Sequence, residues 1–108
     1  MIVKLYKYLK NNGIDVYFIG QHVGVCKNEY IVLKDDGGNN GLFTIDIIFY
    51  LPKNNFSKAD TFKKEVKELL KKFNDIKYTG VETAMIIESE KESITFSILY
   101  NVLKKVRG

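Results

Sequence analysis

The sequence is poor in the residues that usually build metal centres and disulfide frameworks. Its 108 residues include one cysteine, one histidine and one proline, and no tryptophan. A single cysteine excludes an intramolecular disulfide, so the chain does not look like a small secreted domain. His22 and Cys26 are the only residues of their types, and a metal site needs three or four ligands. We therefore expect no metal and no cofactor, and we interpret this pair as a loop histidine and a buried or half-buried cysteine.

Long apolar runs are also missing. No stretch approaches the roughly 18 residues that a membrane-spanning helix needs. Lys4, Lys7 and Lys10 interrupt the first ten residues, so no continuous apolar segment of a secretory signal is present there. We expect a protein without a membrane partner that folds in a cytoplasm.

Arginine is nearly absent from a chain that is basic overall. The net charge is +4, yet only Arg107 stands among the 17 basic residues. Basic charge is typical of nucleic-acid-binding proteins, whereas arginine is the residue favoured for phosphate and base-edge contacts. A small basic nucleic-acid-binding module is therefore the alternative hypothesis. Its best local candidate is the group Lys4, Tyr6, Lys7 and Tyr8, which mixes charge with aromatic rings.

What the sequence does contain is one clear amphipathic helix, predicted over Ser57–Phe73. Its apolar residues recur at three- and four-residue steps and form one stripe: Ala59, Phe62, Val66, Leu69, Leu70 and Phe73. Ser57 is placed to cap the first turn. Because a helix with one apolar stripe must bury it, we expect this helix to pack on a sheet.

The remaining pattern predicts one domain over residues 1–108, in the order α-β-β-β-α-β-β. A short amphipathic helix covers Met1–Asn12, and Gly13 follows it in the position that favours a left-handed backbone. The predicted strands are Ile14–Gly20, Tyr30–Lys34, Leu42–Leu51, Thr83–Glu88 and Ser93–Leu103. The fold class is therefore α+β, with a mainly antiparallel sheet, one long helix packed on it and a short N-terminal helix.

Three segments read as loops or turns. The run DDGGNNG at Asp35–Gly41 predicts a mobile loop between two antiparallel strands, because glycine frees the backbone and Asp and Asn favour turns. Tyr78–Gly80 predicts a turn. ESEKE at Glu88–Glu92 predicts a charged hairpin loop.

The strand Leu42–Leu51 is apolar on both faces, which indicates that it is covered on both sides or lies at a subunit contact. Asp46 stands inside it, and a buried carboxylate is costly unless it is paired. It could be catalytic with a raised pKa, but a pair with Lys or Arg across a subunit interface, or an exposed edge position, fits better. Since no catalytic set accompanies it, we expect a protein that is not an enzyme.

Read as a whole, the chain resembles the small tail-terminator, or tail-completion, proteins of long-tailed bacteriophages and prophages. The resemblance covers most of the chain and rests on a series of motifs. These are the segment Gly20–Cys26, YIVLK before a Gly-rich loop, DIIFYLP at Asp46–Pro52, YTGVET at Tyr78–Thr83, and an acidic turn running into SITFSILYNVLKK. One departure is the lack of a proline near Ala84, after the Glu-Thr pair.

The resemblance implies a structural protein of the virion tail, present in the host cytoplasm during assembly. Such proteins close the tail tube as a ring, typically a hexamer, and join it to the head connector, so the implied partners are further copies of the chain, the tail tube protein and the connector. Basic residues facing the lumen would make at most weak, non-specific DNA contact. We expect strands and loops to supply the subunit or partner interface, through Asp35, Asp36, Gly37, Gly38, Asp46, Ile48, Tyr50, Glu88, Glu90, Glu92 and Tyr100.

Overall fold

A computed structural model describes residues 2–22, 24–39 and 42–103, without the side chains of residues 36–39 and 42. In this part of the chain, two α-helices pack on one face of a six-stranded sheet. The elements are α1 (Ile2–Asn11), β1 (Val16–Phe18), β2 (Tyr30–Asn39), β3 (Leu42–Pro52), a 3-10 turn (Phe56–Lys58), α2 (Ala59–Lys71), β4 (Ile76–Glu82), β5 (Ile86–Glu88) and β6 (Ser93–Val102). The predicted α+β class and element order are confirmed, with β4 as an added strand.

The sheet has the strand order β1-β2-β3-β6-β4, and β5 also pairs with β6. β1 runs parallel to β2, and the other pairs are antiparallel. Since β2 and β6 both run antiparallel to the central β3, they point in the same direction. β1 therefore forms one edge of the sheet, and β4 with β5 forms the opposite edge.

The core lies between the helices and one face of the sheet. The predicted α2 stripe is confirmed: Ala59, Phe62, Val66, Leu70 and Phe73 are buried, and Leu69 packs against them. On the sheet side, alternate residues of β3 and β6 meet this stripe in register, which follows from the two-residue period of a strand. They are Ile45, Ile47, Phe49, Leu51, Ile94, Phe96, Ile98 and Tyr100. Burying one such side chain contributes about 1.5–3 kcal/mol.

Gly13 ends α1 as predicted. Its φ is +83°, a backbone conformation that glycine adopts without steric penalty. The Gly13 N–H donates to the Lys10 carbonyl at 3.1 Å and the Ile14 N–H donates to the Leu9 carbonyl at 3.0 Å, which is the hydrogen-bond pair of a Schellman motif. Leu5 and Leu9 are fully buried, so this end directs the chain from the buried face of α1 into β1.

Ser57 does not cap α2, so that prediction is wrong. The residue lies inside the 3-10 turn Phe56–Lys58, and the N-cap position belongs to Lys58, which makes no side-chain capping bond. The backbone enters the helix through a tight turn instead, because the Lys58 N–H donates to the Asn55 carbonyl at 2.9 Å.

The prediction of a loop from Asp35 is wrong for residues 35–39, which continue β2; residues 40 and 41 lie outside the described residues. The register shifts between Asp35 and Gly38, and Gly38 and Asn39 then pair with Phe43 and Leu42. Glycine permits such a bulge without ending the strand. The composition signal for a loop therefore marks an irregularity in a long hairpin.

The predicted turn at Tyr78–Gly80 is also wrong, because these residues lie within β4. Gly80 has a φ of +86°, and the pairing of β4 with β6 shifts between Tyr78 and Glu82. The Thr79 hydroxyl donates to the Leu99 carbonyl at 2.7 Å and accepts the Val81 N–H at 3.0 Å, so it holds the bulge against β6. The next predicted strand, Thr83–Glu88, shortens to Ile86–Glu88, and the charged turn after it is confirmed by the β5–β6 pairing.

Candidate interaction surfaces

The sheet face away from the helices is only partly covered, and we call it the open face. Asp46, Ile48 and Tyr50 of β3 lie on it and are half-buried. Of the two arrangements predicted for β3, full cover is found on the helix face only, and a subunit contact at the other face stays a prediction. β3 is a central strand, so an edge position for Asp46 is wrong. Lys34 of the same chain lies directly opposite Asp46, and opposite charges in such cross-strand positions stabilise a sheet.

The segment before β2 covers one end of the open face. The Cys26 N–H donates to the Lys91 carbonyl at 2.9 Å. The His22 ring stacks on Tyr30 at a centroid distance of 3.9 Å, and Tyr30 stacks on Tyr50 at 4.9 Å. These aromatic contacts attach the segment to β2 and β3.

His22 and Cys26 have the properties of packing residues. Burial lowers the pKa of His22, with the nearby Lys91 charge as a second cause. Burial also raises the pKa of the Cys26 thiol to about 11, so it stays protonated at neutral pH and is a poor nucleophile. Among the residues that the structure describes, no group of three or more His, Cys, Asp or Glu side chains is arranged to hold a metal.

Exposed apolar side chains gather at both edges of the sheet. At the β4/β5 edge, Val81, Ile86 and Ile87 are 55%, 61% and 68% exposed. On the β1 side, Ile19 directly after the strand is 62% exposed, and Val25 is 44% exposed. Ile86 faces the open side with its partner Thr95, and Ile87 faces the helix side with its partner Ile94. Single exposed apolar residues are ordinary, but three along one edge strand region form an apolar rim that indicates a contact site. We call these two groups the β5-edge patch and the β1-edge patch.

A cleft lies between α2 and β4 on the helix side of the β4 edge, with a volume of about 670 Å³. The buried side chains of Leu70, Ile76 and Tyr100 reach its floor. Its walls also carry Glu68, Tyr78 and four lysines, Lys64, Lys67, Lys71 and Lys77. We call it the lysine cleft. Its cations exceed its anions, so it attracts negatively charged groups.

Glu82 fixes one wall of the lysine cleft. Its carboxylate accepts hydrogen bonds from Lys63 at 2.6 Å, from Lys67 at 3.0 Å and from the Tyr78 hydroxyl. The Lys63 bond is the first cause that lowers the pKa of Glu82 to about 2, followed by the Tyr78 bond. The Lys67 ammonium also lies 4.4 Å from the centre of the Tyr78 ring. These contacts hold β4 against α2.

A surface with the opposite charge lies at the other end of α2. Asp15 before β1, Glu29 before β2 and Glu65 of α2 line one depression; we call these three residues the acidic patch. Asp15 and Glu65 are exposed and Glu29 is half-exposed. The patch lies where β1 and β2 begin, whereas the lysine cleft lies where β6 ends. The two surfaces are therefore at opposite ends of the strands, and both adjoin α2 on the helix side of the sheet.

The predicted interface residues fall in four places. Asp35 is exposed in β2, and Asp36, Gly37 and Gly38 belong to the same strand. Asp46, Ile48 and Tyr50 share the open face, and the Glu88 charge is one of the causes, after burial, that raise the pKa of Tyr50. Glu90 and Glu92 are exposed in the turn between β5 and β6. Tyr100 lies apart from all of these, buried on the helix face at the floor of the lysine cleft.

Sequence reasoning missed the lysine cleft and both edge patches. A signal for the cleft was present, because Lys64, Lys67 and Lys71 recur at helical spacing. Their association with Lys77 and Tyr78 depends on β4, which the sequence did not predict. The β5-edge patch depends on the strand order, which no local pattern reveals.

Comparison of the chain with protein-family models, with curated proteins and with solved structures finds no match in any of the three. Within residues 2–22, 24–39 and 42–103, no helix is long and apolar enough to cross a bilayer. Function must therefore be inferred from the surfaces of the molecule and from the motifs in its sequence.

Proposed function

We propose that this chain is a structural assembly protein of the tail-terminator type. It closes a phage or prophage tail tube as a homo-oligomeric ring, typically of six copies, and offers a surface to the head connector. It acts in the virion tail and is present in the host cytoplasm during assembly. The observation that carries this proposal is the pair of apolar patches on opposite edges of one sheet.

A ring of identical subunits uses two different surfaces that face opposite ways, since each copy contacts the next head to tail. The β5-edge patch supplies one surface, through Val81, Ile86 and Ile87, and the β1-edge patch supplies the other, through Ile19 and Val25. Each large apolar side chain that becomes fully buried in the contact contributes about 1.5–3 kcal/mol. The exposed apolar groups at the two edges are thus of the kind that a subunit contact would bury.

The β4/β5 edge favours a bounded contact over continuous strand addition. β5 has three residues, and β4 is interrupted by the bulge at Gly80. Short and bulged edge strands are devices by which natural sheets avoid open-ended pairing. Side-chain packing across this edge therefore suits a closed ring better than a fibre.

The ends of the sheet and the open face are available to the proteins that would bind above and below the ring. Ile48 and Tyr50 are half-buried on the open face, and Glu90 and Glu92 are exposed in the turn between β5 and β6. Such a mixed polar and apolar surface is typical of interfaces between proteins that also exist separately. We assign these residues to the tail tube protein and the head connector, and we assign the lysine-rich helical layer to weak, non-specific contact with DNA in the lumen.

Substitution of Ile87 by Lys tests the proposal, with Phe56→Lys as the control. Both residues are more than half exposed, but Phe56 lies in the 3-10 turn after the central strand β3 and on neither edge strand. Light scattering after size exclusion, with and without the matching tail tube protein, should show a ring or tube-end complex for the wild type and for Phe56→Lys. Ile87→Lys should lose it, because a buried ammonium opposes the contact. A wild-type chain that neither self-associates nor binds tube ends would contradict the proposal.

A nucleic-acid-binding module is the second candidate, and the lysine cleft favours it, because its cations surround the exposed Tyr78 ring. The group predicted from sequence is less suitable. Tyr6 stacks on Phe18 at 4.4 Å, and the Tyr8 hydroxyl donates to the Leu69 carbonyl at 2.6 Å, so both rings already serve the core. Fluorescence anisotropy with single-stranded and duplex DNA decides this candidate: absence of binding at low salt eliminates it.

A further inference from the structure

We propose that the lysine cleft binds a short acidic segment of a partner protein, with one large apolar side chain on the cleft floor and carboxylates at the lysine rim. This inference goes beyond the proposed ring and does not depend on it. It assigns a partner chemistry to a site between α2 and β4, outside the residues that supply the ring contact.

The Tyr100 hydroxyl is a donor without a partner at the floor of the cleft. Tyr100 is 3% exposed and lines the cleft. Within the described residues its hydroxyl makes no hydrogen bond, and it is not sealed from solvent as the Tyr30 hydroxyl is. Burial raises the pKa of Tyr100 to about 12, so the hydroxyl stays protonated at neutral pH and can donate. A carbonyl oxygen of a bound segment would supply the missing acceptor.

The same face of β6 is otherwise apolar. The residues at two-residue steps before Tyr100 are Ile94, Phe96 and Ile98, and all of them are buried. A phenylalanine at position 100 would fill the same space without an unpaired hydroxyl, and an unpaired polar group in a buried side chain costs free energy. Packing of the core therefore does not account for this hydroxyl.

The rim of the cleft carries cations for carboxylates. Lys64 is exposed and makes no ion pair within the described part of the chain, whereas Lys67 is held by Glu82 at 3.0 Å. Lys71 lies 3.6 Å from Glu68, but these side chains are 77% and 68% exposed, and such a surface pair contributes little. Lys64 is thus the first cation for a bound carboxylate, and Lys71 can exchange its partner.

Apolar surface lies between the rim and the hydroxyl. Leu70 and Ile76 line the floor, and Tyr78, which is 41% exposed, lines the cleft from β4. The volume of about 670 Å³ falls within the range of about 300–1,000 Å³ for sites that hold a compact ligand. A segment with one apolar side chain between carboxylates carries the three complementary groups: a backbone carbonyl, an apolar body and negative charge.

Nucleic acid fits this cleft less well. The Lys67 ammonium lies 4.4 Å from the centre of the Tyr78 ring and covers one face on which a base could stack. A phosphate backbone also brings no apolar group to the floor at Leu70 and Ile76. An acidic protein segment uses both the charge and the floor.

Fluorescence anisotropy with a labelled model peptide tests the site on the full chain. The probe has one leucine between two glutamates and blocked ends. Two comparison peptides replace either the glutamates by glutamine or the leucine by alanine. At low salt the probe should bind at least about threefold more tightly than either, because the first comparison loses the attraction to the rim and the second loses apolar contact with the floor.

Tyr100→Phe should weaken binding of the probe about two- to tenfold, because one hydrogen bond is lost. Without peptide, this variant should unfold at the same or a higher urea concentration than the wild type, since the fold loses no hydrogen bond. This second measurement separates a binding role of the hydroxyl from a structural one.

Lys64→Glu should weaken binding of the probe about three- to tenfold, because a cation at the rim becomes an anion. The matched control is Lys53→Glu, which makes the same charge change at an exposed position directly after β3, at the other end of the strands. The control should leave binding within about twofold of the wild type, since salt screens a distant charge.

Four results would overturn this inference: no binding of the probe at millimolar concentration, equal binding of the glutamine peptide, unchanged binding by Tyr100→Phe, or equal losses for Lys64→Glu and Lys53→Glu. Displacement of the probe by an equal concentration of octanoate or of a short oligonucleotide would identify a different ligand class and contradict a protein segment. Failure of the ring looks different, because Ile87→Lys should lose assembly and keep peptide binding.

Discussion

The two faces of the sheet differ in how far the rest of the chain covers them. The face under α1 and α2 is completed within the chain: Phe49 stacks on Phe96 at 4.7 Å and meets Phe62 edge to face at 5.6 Å. On the open face, the next residue, Tyr50, is only half-buried and stacks on Tyr30. Phe49 and Tyr50, which are adjacent on β3, therefore have different surroundings. The covered face stabilises the fold, whereas the open face and the edges keep apolar side chains partly or largely exposed.

Substitution of neighbouring residues of β3 gives the largest expected effect. Phe49→Ala should lower the free energy of unfolding by about 3–5 kcal/mol, because it leaves a cavity in a closed core. Tyr50→Ala should cost roughly 1–2 kcal/mol, since the half-exposed site can relax and fill with water. Urea denaturation monitored by circular dichroism measures both. Equal losses would show that the open face is as much part of the core as the covered face.

Glu82, on the helix side of the sheet, stabilises the fold to an extent that depends on pH. Its folded pKa of about 2 lies below the ordinary value of 4.5. The stabilisation is therefore fully present above about pH 4.5 and is lost as the pH falls towards 2. Glu82→Gln should remove about 1–3 kcal/mol at neutral pH, and less at pH 3.

Chemical denaturation at the two pH values checks this effect. Tyr78→Phe removes one of the three donors and should reproduce part of the loss. A Glu82→Gln cost that is the same at both pH values would show that the carboxylate charge contributes nothing.

Ser57→Ala should have the smallest effect. The residue is exposed and makes no capping bond to α2, so we expect a change within about 0.5 kcal/mol, as for other surface positions. Loss of a working N-cap would cost about 1 kcal/mol instead. The midpoint of thermal unfolding distinguishes the two, and a drop of several degrees would restore Ser57 as the cap.

The covered face could be predicted from the sequence because its signals are local. The α2 stripe from Ala59 to Phe73 follows the helical period, and alternation along β3 and β6 identifies the residues that meet it. Gly13 was predicted for the same reason, since one backbone angle decides the end of α1. These patterns involve residues that are close in sequence.

The surfaces could not be predicted because they depend on distant residues. Tyr78–Gly80 reads as a turn, yet pairing with β6 and the Thr79 bond to the Leu99 carbonyl keep it in a strand. Because the sequence does not predict β4, it predicts neither the lysine cleft nor the β5-edge patch. Tyr100 was placed with the interface residues, although the strand period puts it beside Ile98 on the covered face.

Mass measurement of the complexes at tail-tube ends tests the assembly role most directly. Tubes grown from the matching tube protein would be mixed with this chain and examined by negative-stain electron microscopy and mass photometry. We predict one ring, of six copies, at the growing end, and no further tube growth. Tubes that keep growing with no chain bound at their ends would contradict the assembly role.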